Sequence, residues 1–158
     1  MSYSELNWDY PEPHVITLTA ASEEADGYGH INNSVYLKWL DQCVWSHCDA
    51  VAMGPALCRQ LNRGFAALRH EIDYIAAAYP GDRVAVANWV TLNDGRLRAE
   101  RRFQIIRLDD EQTLLRARSF YVCTDLTSGR PVRMPAQFKT GFEVPRPVAQ
   151  ALAEAQAR

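Results

Sequence analysis

Asp26-Gly27-Tyr28-Gly29-His30-Ile31-Asn32-Asn33 is the stretch on which the reading of this chain turns. It sets a carboxylate, two glycines and a histidine directly before a strongly patterned helix. Asn32 and Asn33, with Ser34, are good N-cap residues. From residue 33 or 34 to about residue 51 the apolar positions recur with helical period. Tyr36, Leu37, Trp39, Leu40, Cys43, Val44, His47, Cys48 and Val51 fall within one half of the helical wheel. Lys38, Asp41, Gln42, Ser46 and Asp49 fall in the other half. An apolar face that wide is broader than the stripe of an ordinary surface helix and predicts one seated deeply against a partner layer. Gly54-Pro55 closes the segment.

Outward from this helix the period changes to that of strands. His14 to Thr19 reads as a short strand, and the polar, glycine-containing residues 22–29 break its pattern. After a loop containing Asn62 and Gly64, the row Leu68, His70, Ile72, Tyr74 alternates with Arg69, Glu71 and Asp73, predicting a strand with one wet face. Pro80-Gly81-Asp82 is a turn. Residues 83–91 form the next strand, with Val84, Val86 and Val90 on one face and Trp89 opposite. Asn93-Asp94-Gly95 is a hairpin turn, since Asp-Gly suits positive φ. Residues 96–107, a turn at Asp109-Asp110-Glu111, and residues 114–124 complete a meander. The turn Ser128-Gly129-Arg130-Pro131 precedes an extended stretch to Met134. The order is therefore strand, one long helix and about four antiparallel strands. A curved antiparallel sheet wrapping the helix is the simple two-layer solution, an α+β fold. Residues 1–143 read as a single domain, and residues 144–158 as a tail or short surface helix.

The totals bound the function. A chain of 158 residues is long enough for one domain with a real core. Its formal net charge of −2 gives no case for nucleic acid or an anionic membrane as partner. No apolar run approaches the ~20 residues that span a bilayer. The N-terminus MSYSELNWDY lacks the regions of a signal peptide, so a cytoplasmic location is expected. Cys43, Cys48, Cys58 and Cys123 form no C-x-x-C pair and read as buried or partly buried thiols. No close-spaced Cys/His cluster suggests a metal site, and no cofactor is expected.

The opening stretch also carries chemistry. Backbone N–H groups at a helix start are unpaired and bear partial positive charge, so they can hold a developing oxyanion. A carboxylate a few residues upstream supplies the other half of an acyl-transfer site, as nucleophile or base. Gly27 and Gly29 allow the backbone to bend tightly and approach a substrate closely.

The pattern D-x-x-G-H-x-N-N-x-x-Y-x-x-x-x-[DE], met here as Asp26, Gly29, His30, Asn32, Asn33, Tyr36 and Asp41, resembles that of the hotdog-fold acyl-CoA thioesterases. Within that family it resembles the branch that includes 4-hydroxybenzoyl-CoA thioesterase and the long-chain acyl-CoA thioesterases. Tyr74 with Pro80-Gly81-Asp82, and Gly129-Arg130-Pro131 with Pro135, extend the likeness over roughly residues 14–135. The resemblance implies a hotdog fold, hydrolysis of an acyl-CoA thioester, and a site built at the interface of a homodimer or dimer of dimers. It implies Asp26 as the catalytic carboxylate and main-chain N–H groups near Asn33 as the oxyanion hole. Two departures are Glu24, where many relatives carry a second Asp, and Asp41, where many carry Glu.

Each candidate also has a plainer reading. Asp26 in a loop is ordinarily a turn former. His30 orients substrate or water, or only bonds the loop. Tyr36 and Trp39 line an acyl pocket, or are core aromatics. Asp41 is a solvated helix charge or a catalytic helper, and His47 and His70 are core histidines. Arg96, Arg98, Arg101, Arg102, Arg107, Arg116 and Arg118 form the wet face of the sheet, from which one or two reach the phosphates of CoA. Two other functions compete: a hotdog dehydratase acting on 3-hydroxyacyl thioesters, disfavoured by the lack of an H-x-P-x-x-P segment, and a non-catalytic acyl-CoA-binding module.

Overall fold

Asn32 begins the long helix as its residue type suggests: its side chain accepts the Ser34 N–H at 3.0 Å. The structure, a computed structural model, describes residues 3–158. Helix α1 (Asn33–Ala50) buries Val35, Tyr36, Trp39, Leu40, Cys43 and Cys48. Its end at Val51 is followed by a second helix, α2 (Pro55–Leu61). Here the structure departs from the sequence reading, which took Gly54-Pro55 as a stop followed by loop. Proline has no N–H to lose at a helix's first turn, so it starts helices as readily as it ends them. Asn62, left-handed at φ 54°, closes α2, and β2 (Arg63–Tyr74) begins at the next residue.

Strands β1 (His14–Thr19), β2, β3 (Arg83–Asn93), β4 (Arg98–Arg107) and β5 (Thr113–Asp125) form one sheet in the order β1-β3-β4-β5-β2. Every pairing is antiparallel. The inner face of the sheet packs on α1: Val84 and Val86 of β3, Phe103 and Ile105 of β4, and Leu115 and Ala117 of β5 meet Tyr36, Trp39, Leu40 and Cys43. This is the α+β hotdog architecture, with a curved five-stranded sheet around one long helix.

The outer face is covered as well. Ala87 and Trp89 of β3 lie beneath Trp8 and Tyr10 from the N-terminal segment. Residues 144–158, expected as a tail or short surface helix, carry α4 (Arg146–Gln156), which drives a fully buried Val148 onto the same patch. A short helix, α3 (Ala136–Gly141), sets Phe138 and Phe142 against Cys48, Val90 and Cys123 under the far end of α1.

Strand β2 is the long outer edge. Of the dry face expected for Leu68, His70, Ile72 and Tyr74 only Ile72 is partly buried; His70, expected as a core histidine, and Tyr74 are exposed, because β2 is an edge strand. The register shifts between Ala67 and Arg69, and Leu68 falls in that shift, 54% exposed. A bulge inserts one residue and resets the alternation, which period-two reasoning does not anticipate. All four cysteines are free: Cys43, Cys48 and Cys123 are buried and Cys58 is half-buried.

Candidate active site

The loop between β1 and α1 is fixed by short backbone bonds. The Asp26 N–H donates to the His30 carbonyl at 2.7 Å, and the Gly29 N–H to the Asp26 carbonyl at 3.1 Å. Gly29 sits at φ +80°, a conformation a side chain would strain. Oδ1 of Asp26 accepts the N–H groups of Tyr28 at 2.8 Å and His30 at 3.2 Å. Its other oxygen, Oδ2, has no hydrogen-bond partner among the described residues. The plain role and the chemical one therefore coexist: one oxygen ties the turn and the other is available. The His30 ring packs edge-on against Tyr79 with centroids 5.2 Å apart.

The loop is clamped to the segment after β2. The Ile31 N–H donates to the Ala78 carbonyl at 2.9 Å, and the Ala78 N–H donates to the Tyr36 hydroxyl at 2.8 Å. Burial pushes the Tyr36 phenol up in pKa; the Ala78 N–H opposes this, and the charges of Asp26 and Asp82 add to it. Tyr36 and Trp39 stack edge-on at 5.3 Å and are each only 3% exposed. Both stand in the main core.

At the start of α1 the first amides are divided. The Asn32 N–H donates to the Glu24 carbonyl, the Ser34 N–H to the Asn32 side chain, and the Val35 N–H to the Asn32 carbonyl. The N–H of Asn33, first residue of the helix, has no acceptor among the described residues. It carries the positive end of the helix dipole. The Glu24 carboxylate is spent locally on the Ala21 N–H at 2.8 Å.

From Ser34 a cavity of about 740 Å³ runs between α1 and the β2–β5–β4 side of the sheet. Its walls are mostly apolar, including Leu37, Val44, Phe65, Phe103 and Phe138. Lys38, Asp41 and Trp45 of α1 and Ala67 and His70 of β2 are exposed residues of its rim. Asp41 is thus a rim carboxylate, while Asp26, His30, Tyr36 and Trp39 are not among the cavity's walls. His70 is held by a 2.7 Å contact from Nδ1 to the Ser119 hydroxyl.

One arginine departs from the wet face expected for the meander. Arg101 is 6% exposed and lines the cavity. One guanidinium nitrogen, Nη1, donates to Nδ1 of His47 at 2.8 Å and to Oδ1 of Asn88 at 2.5 Å. Arginine can only donate, so His47 is neutral with its proton on Nε2. Burial, then the charges of Arg101 and His14, lower the His47 pKa to about 4. The guanidinium also lies over the Phe142 ring, 5.4 Å from its centroid. The sequence carried a signal for this placement: Ala99, Arg101, Phe103 and Ile105 alternate on one face of β4, so an inward phenylalanine and isoleucine imply an inward arginine. The neighbouring arginines behave as expected of a surface, with Arg107 pairing with Asp82 and Asp110, and Arg116 with Asp9.

No helix among the described residues is long and apolar enough to cross a membrane. Among the same residues no group of three or more His, Cys, Asp or Glu is placed to hold a metal ion.

Many solved structures share this architecture, three of which illustrate it. A 1,4-dihydroxy-2-naphthoyl-CoA thioesterase from Synechocystis superposes with a TM-score of 0.74 at 19% identity, over 83% of this chain and 96% of that one. A probable thioesterase from Escherichia coli gives 0.72 at 18% identity, over 82% and 96%. A hypothetical protein from Staphylococcus aureus, solved in complex with CoA, gives 0.75 at 16% identity, over 82% and 81%. At these identities the likeness establishes the fold. The model of the thioesterase-like superfamily matches residues 21–142, a span that contains the Asp26 loop, α1 and the whole β2–β5 meander. The chain belongs to the thioesterase-like superfamily, and thioester hydrolysis is the reaction class that membership gives it.

Proposed function

We propose that this protein hydrolyses an acyl-CoA thioester, with Asp26 as the carboxylate and the Asn33 N–H as an oxyanion donor. The observation that carries the reading is the pairing of a carboxylate with one unengaged oxygen and an unpaired helix-start amide, beside a cavity that begins at Ser34. A thioester asks little of a catalyst on the leaving side, because a thiolate with a parent pKa near ~8.5 departs without a strong general acid. Two tasks remain, delivery of a nucleophile and stabilisation of the tetrahedral oxyanion. One well-placed donor to that oxyanion is worth about 3–4 kcal/mol.

Asp26 acts by either of two routes. As a base it takes a proton from water, whose oxygen bonds to the acyl carbon as the C–S bond breaks, and the proton ends on the CoA thiolate. As a nucleophile its carboxylate bonds to the acyl carbon and expels the thiolate, and water then cleaves the mixed anhydride. Both give one acid and one thiol per water consumed. His30, held beside the carboxylate by its N–H contact to Asp26, orients the loop and the attacking water. Tyr36 and Trp39 support the site from the core, Tyr36 by holding Ala78 and with it the Ile31 end of the loop. The working unit in this reading is a homodimer, whose second chain completes the cavity along β2.

The test is release of free thiol from a panel of CoA thioesters varied in length and aromaticity. Wild type is expected to cleave at least one, and Asp26→Asn to lose at least about a hundredfold in kcat/KM. A panel with no cleavage, or an Asp26→Asn protein with near-full activity, sinks this mechanism.

A further inference from the structure

Arg101 is an ion without a counter-ion. The ion pairs of the described residues engage Arg63, Arg69, Arg102, Arg107, Arg116 and Arg118, and Arg101 is not among them. Its neighbours are neutral: a histidine, an amide, a phenyl ring and the Cys48 thiol. Glu100, next along β4, faces the other way and pairs with Arg118 and Arg102. Both hydrogen bonds of Arg101 to His47 and Asn88 use Nη1. Nη2 meets only the Cys48 sulfur at 4.0 Å, the outer limit of a contact. A charge removed from water and left unpaired costs several kcal/mol, and proteins rarely keep one that nothing neutralises.

The position of this charge is equally informative. Cys48, Phe138 and Phe142 wall the same end of the cavity as Arg101, opposite the end at Ser34. Ser34 and Cys48 are both on α1, fourteen residues apart, so the two ends lie roughly 21 Å apart along the helix axis. Between them the walls are largely apolar. Of the cavity's other charged residues, Lys38, Asp41 and Arg59 are exposed, and buried Glu100 is paired with Arg118 and Arg102. The space that runs from the helix start thus ends at a guanidinium whose Nη2 meets nothing but the Cys48 sulfur. The fork geometry of that group matches a carboxylate.

We propose that Arg101 is an anion-recognition residue at the inner end of the acyl cavity, and that the substrate's acyl group carries a carboxylate at its distal end. The substrate class is then the CoA thioester of a dicarboxylic acid. This rests on the thioesterase reading above for the identity of the ligand, but not for the existence of the anion site.

Two measurements test it separately. The first compares kcat/KM for ω-carboxyacyl-CoA and methyl-terminated acyl-CoA of equal length, across a length series. Wild type is expected to favour the carboxylate form by about tenfold or more at its best length, from the strength of charged hydrogen bonds. The ratio is expected to fall towards one in Arg101→Met and to be partly kept in Arg101→Lys. No preference at any length, or a preference that survives Arg101→Met, overturns the proposal while leaving the hydrolase intact. The second, independent of catalysis, is calorimetric binding of octanoate against octanol to wild type. Tighter binding of the anion by about tenfold, abolished in Arg101→Met, supports the site even where no thioester is cleaved; equal binding overturns it. Should Arg101→Met fail to fold, Arg101→Gln takes its place; should both fail, the wild-type comparisons decide alone.

Discussion

Nη1 of Arg101 donates to Nδ1 of His47 across 2.8 Å, joining the middle of β4 to the last turns of α1 through a bond that exists only while the imidazole is neutral. Its pKa, lowered to about 4 by burial and by Arg101 and His14, lies below the ordinary 6.5 of the unfolded chain. Between these values the unfolded chain binds the extra proton and the folded one does not. Stability contributed by neutral His47 is therefore complete above pH 6.5 and is lost as pH falls towards 4. His14, half-buried beside it and lowered in the same direction, adds to the loss. Urea unfolding at pH 7 and pH 5 is expected to show a drop that shrinks in His47→Gln, whose amide oxygen can accept from Arg101 without titrating. An unchanged pH slope in that variant would show that other groups set it.

The Tyr36 hydroxyl is the sole acceptor for the buried Ala78 N–H among the described residues. Tyr36→Phe keeps the ring contacts with Trp39 and Tyr74 and removes only that acceptor. An orphaned buried amide costs about 1–3 kcal/mol. The expected outcome is a thermal midpoint several degrees lower, together with lower thioester turnover because the Asp26 loop hangs from Ala78. Full stability with reduced turnover would instead point to a direct role for the hydroxyl in the reaction.

What was legible in the sequence followed from periodicity over long elements. The half-apolar wheel of residues 33–51 and the alternation in residues 83–91 had many positions to agree on, so α1 and β3 emerged with faces and near-correct ends. Helix α2 was hidden because seven residues give less than two full turns of period, and Gly54-Pro55 signals both a stop and a start. Leu68 was misassigned because a bulge is a property of pairing with β5, not of β2 alone. For the site, the Asp26 loop was readable as local chemistry, its glycines, carboxylate and cap residues being contiguous. Arg101 was not recognised because its environment comes from three distant elements, α1, β3 and the turn after α3. Grouping it with the surface arginines followed charge and ignored its register with Phe103.

Helix α4 is expected to be part of the stable unit. Val148 is fully buried against Ala87 and Trp89, and the indole N–H of Trp89 donates to the Pro11 carbonyl at 3.0 Å. Val148→Asp places a carboxylate with no partner in that apolar patch and is expected to release the helix. The measurement is tryptophan emission with thermal melting: a red shift at temperatures where the rest of the protein is still folded, and a midpoint lowered by more than about 5 °C. Emission and midpoint like those of wild type would mean α4 contributes nothing to the core.

The last expectation concerns assembly. Strand β2 offers twelve residues of outer edge, against six in β1 at the other side of the sheet. Leu68 and Tyr74 on it, and Ile75 just beyond its end, are apolar or aromatic and about half exposed. Among the described residues no strand pairs with this edge, and a long edge with exposed apolar side chains is a template for another strand, a second copy of β2 being the matching one. Ala67 and His70, on the same strand, stand at the rim of the cavity, so pairing there would also enclose the cavity. In a symmetric pair every substitution occurs twice, and Leu68→Lys brings two like charges towards the same seam. Wild type is expected to elute in light-scattering chromatography with at least twice the mass of one chain, and Leu68→Lys to shift towards one chain at micromolar concentration. Because the rim residues share that strand, turnover is expected to fall with the dimer and to recover at high protein concentration. A monomeric wild type with full activity would place the complete site within one chain and remove the reason for the exposed edge.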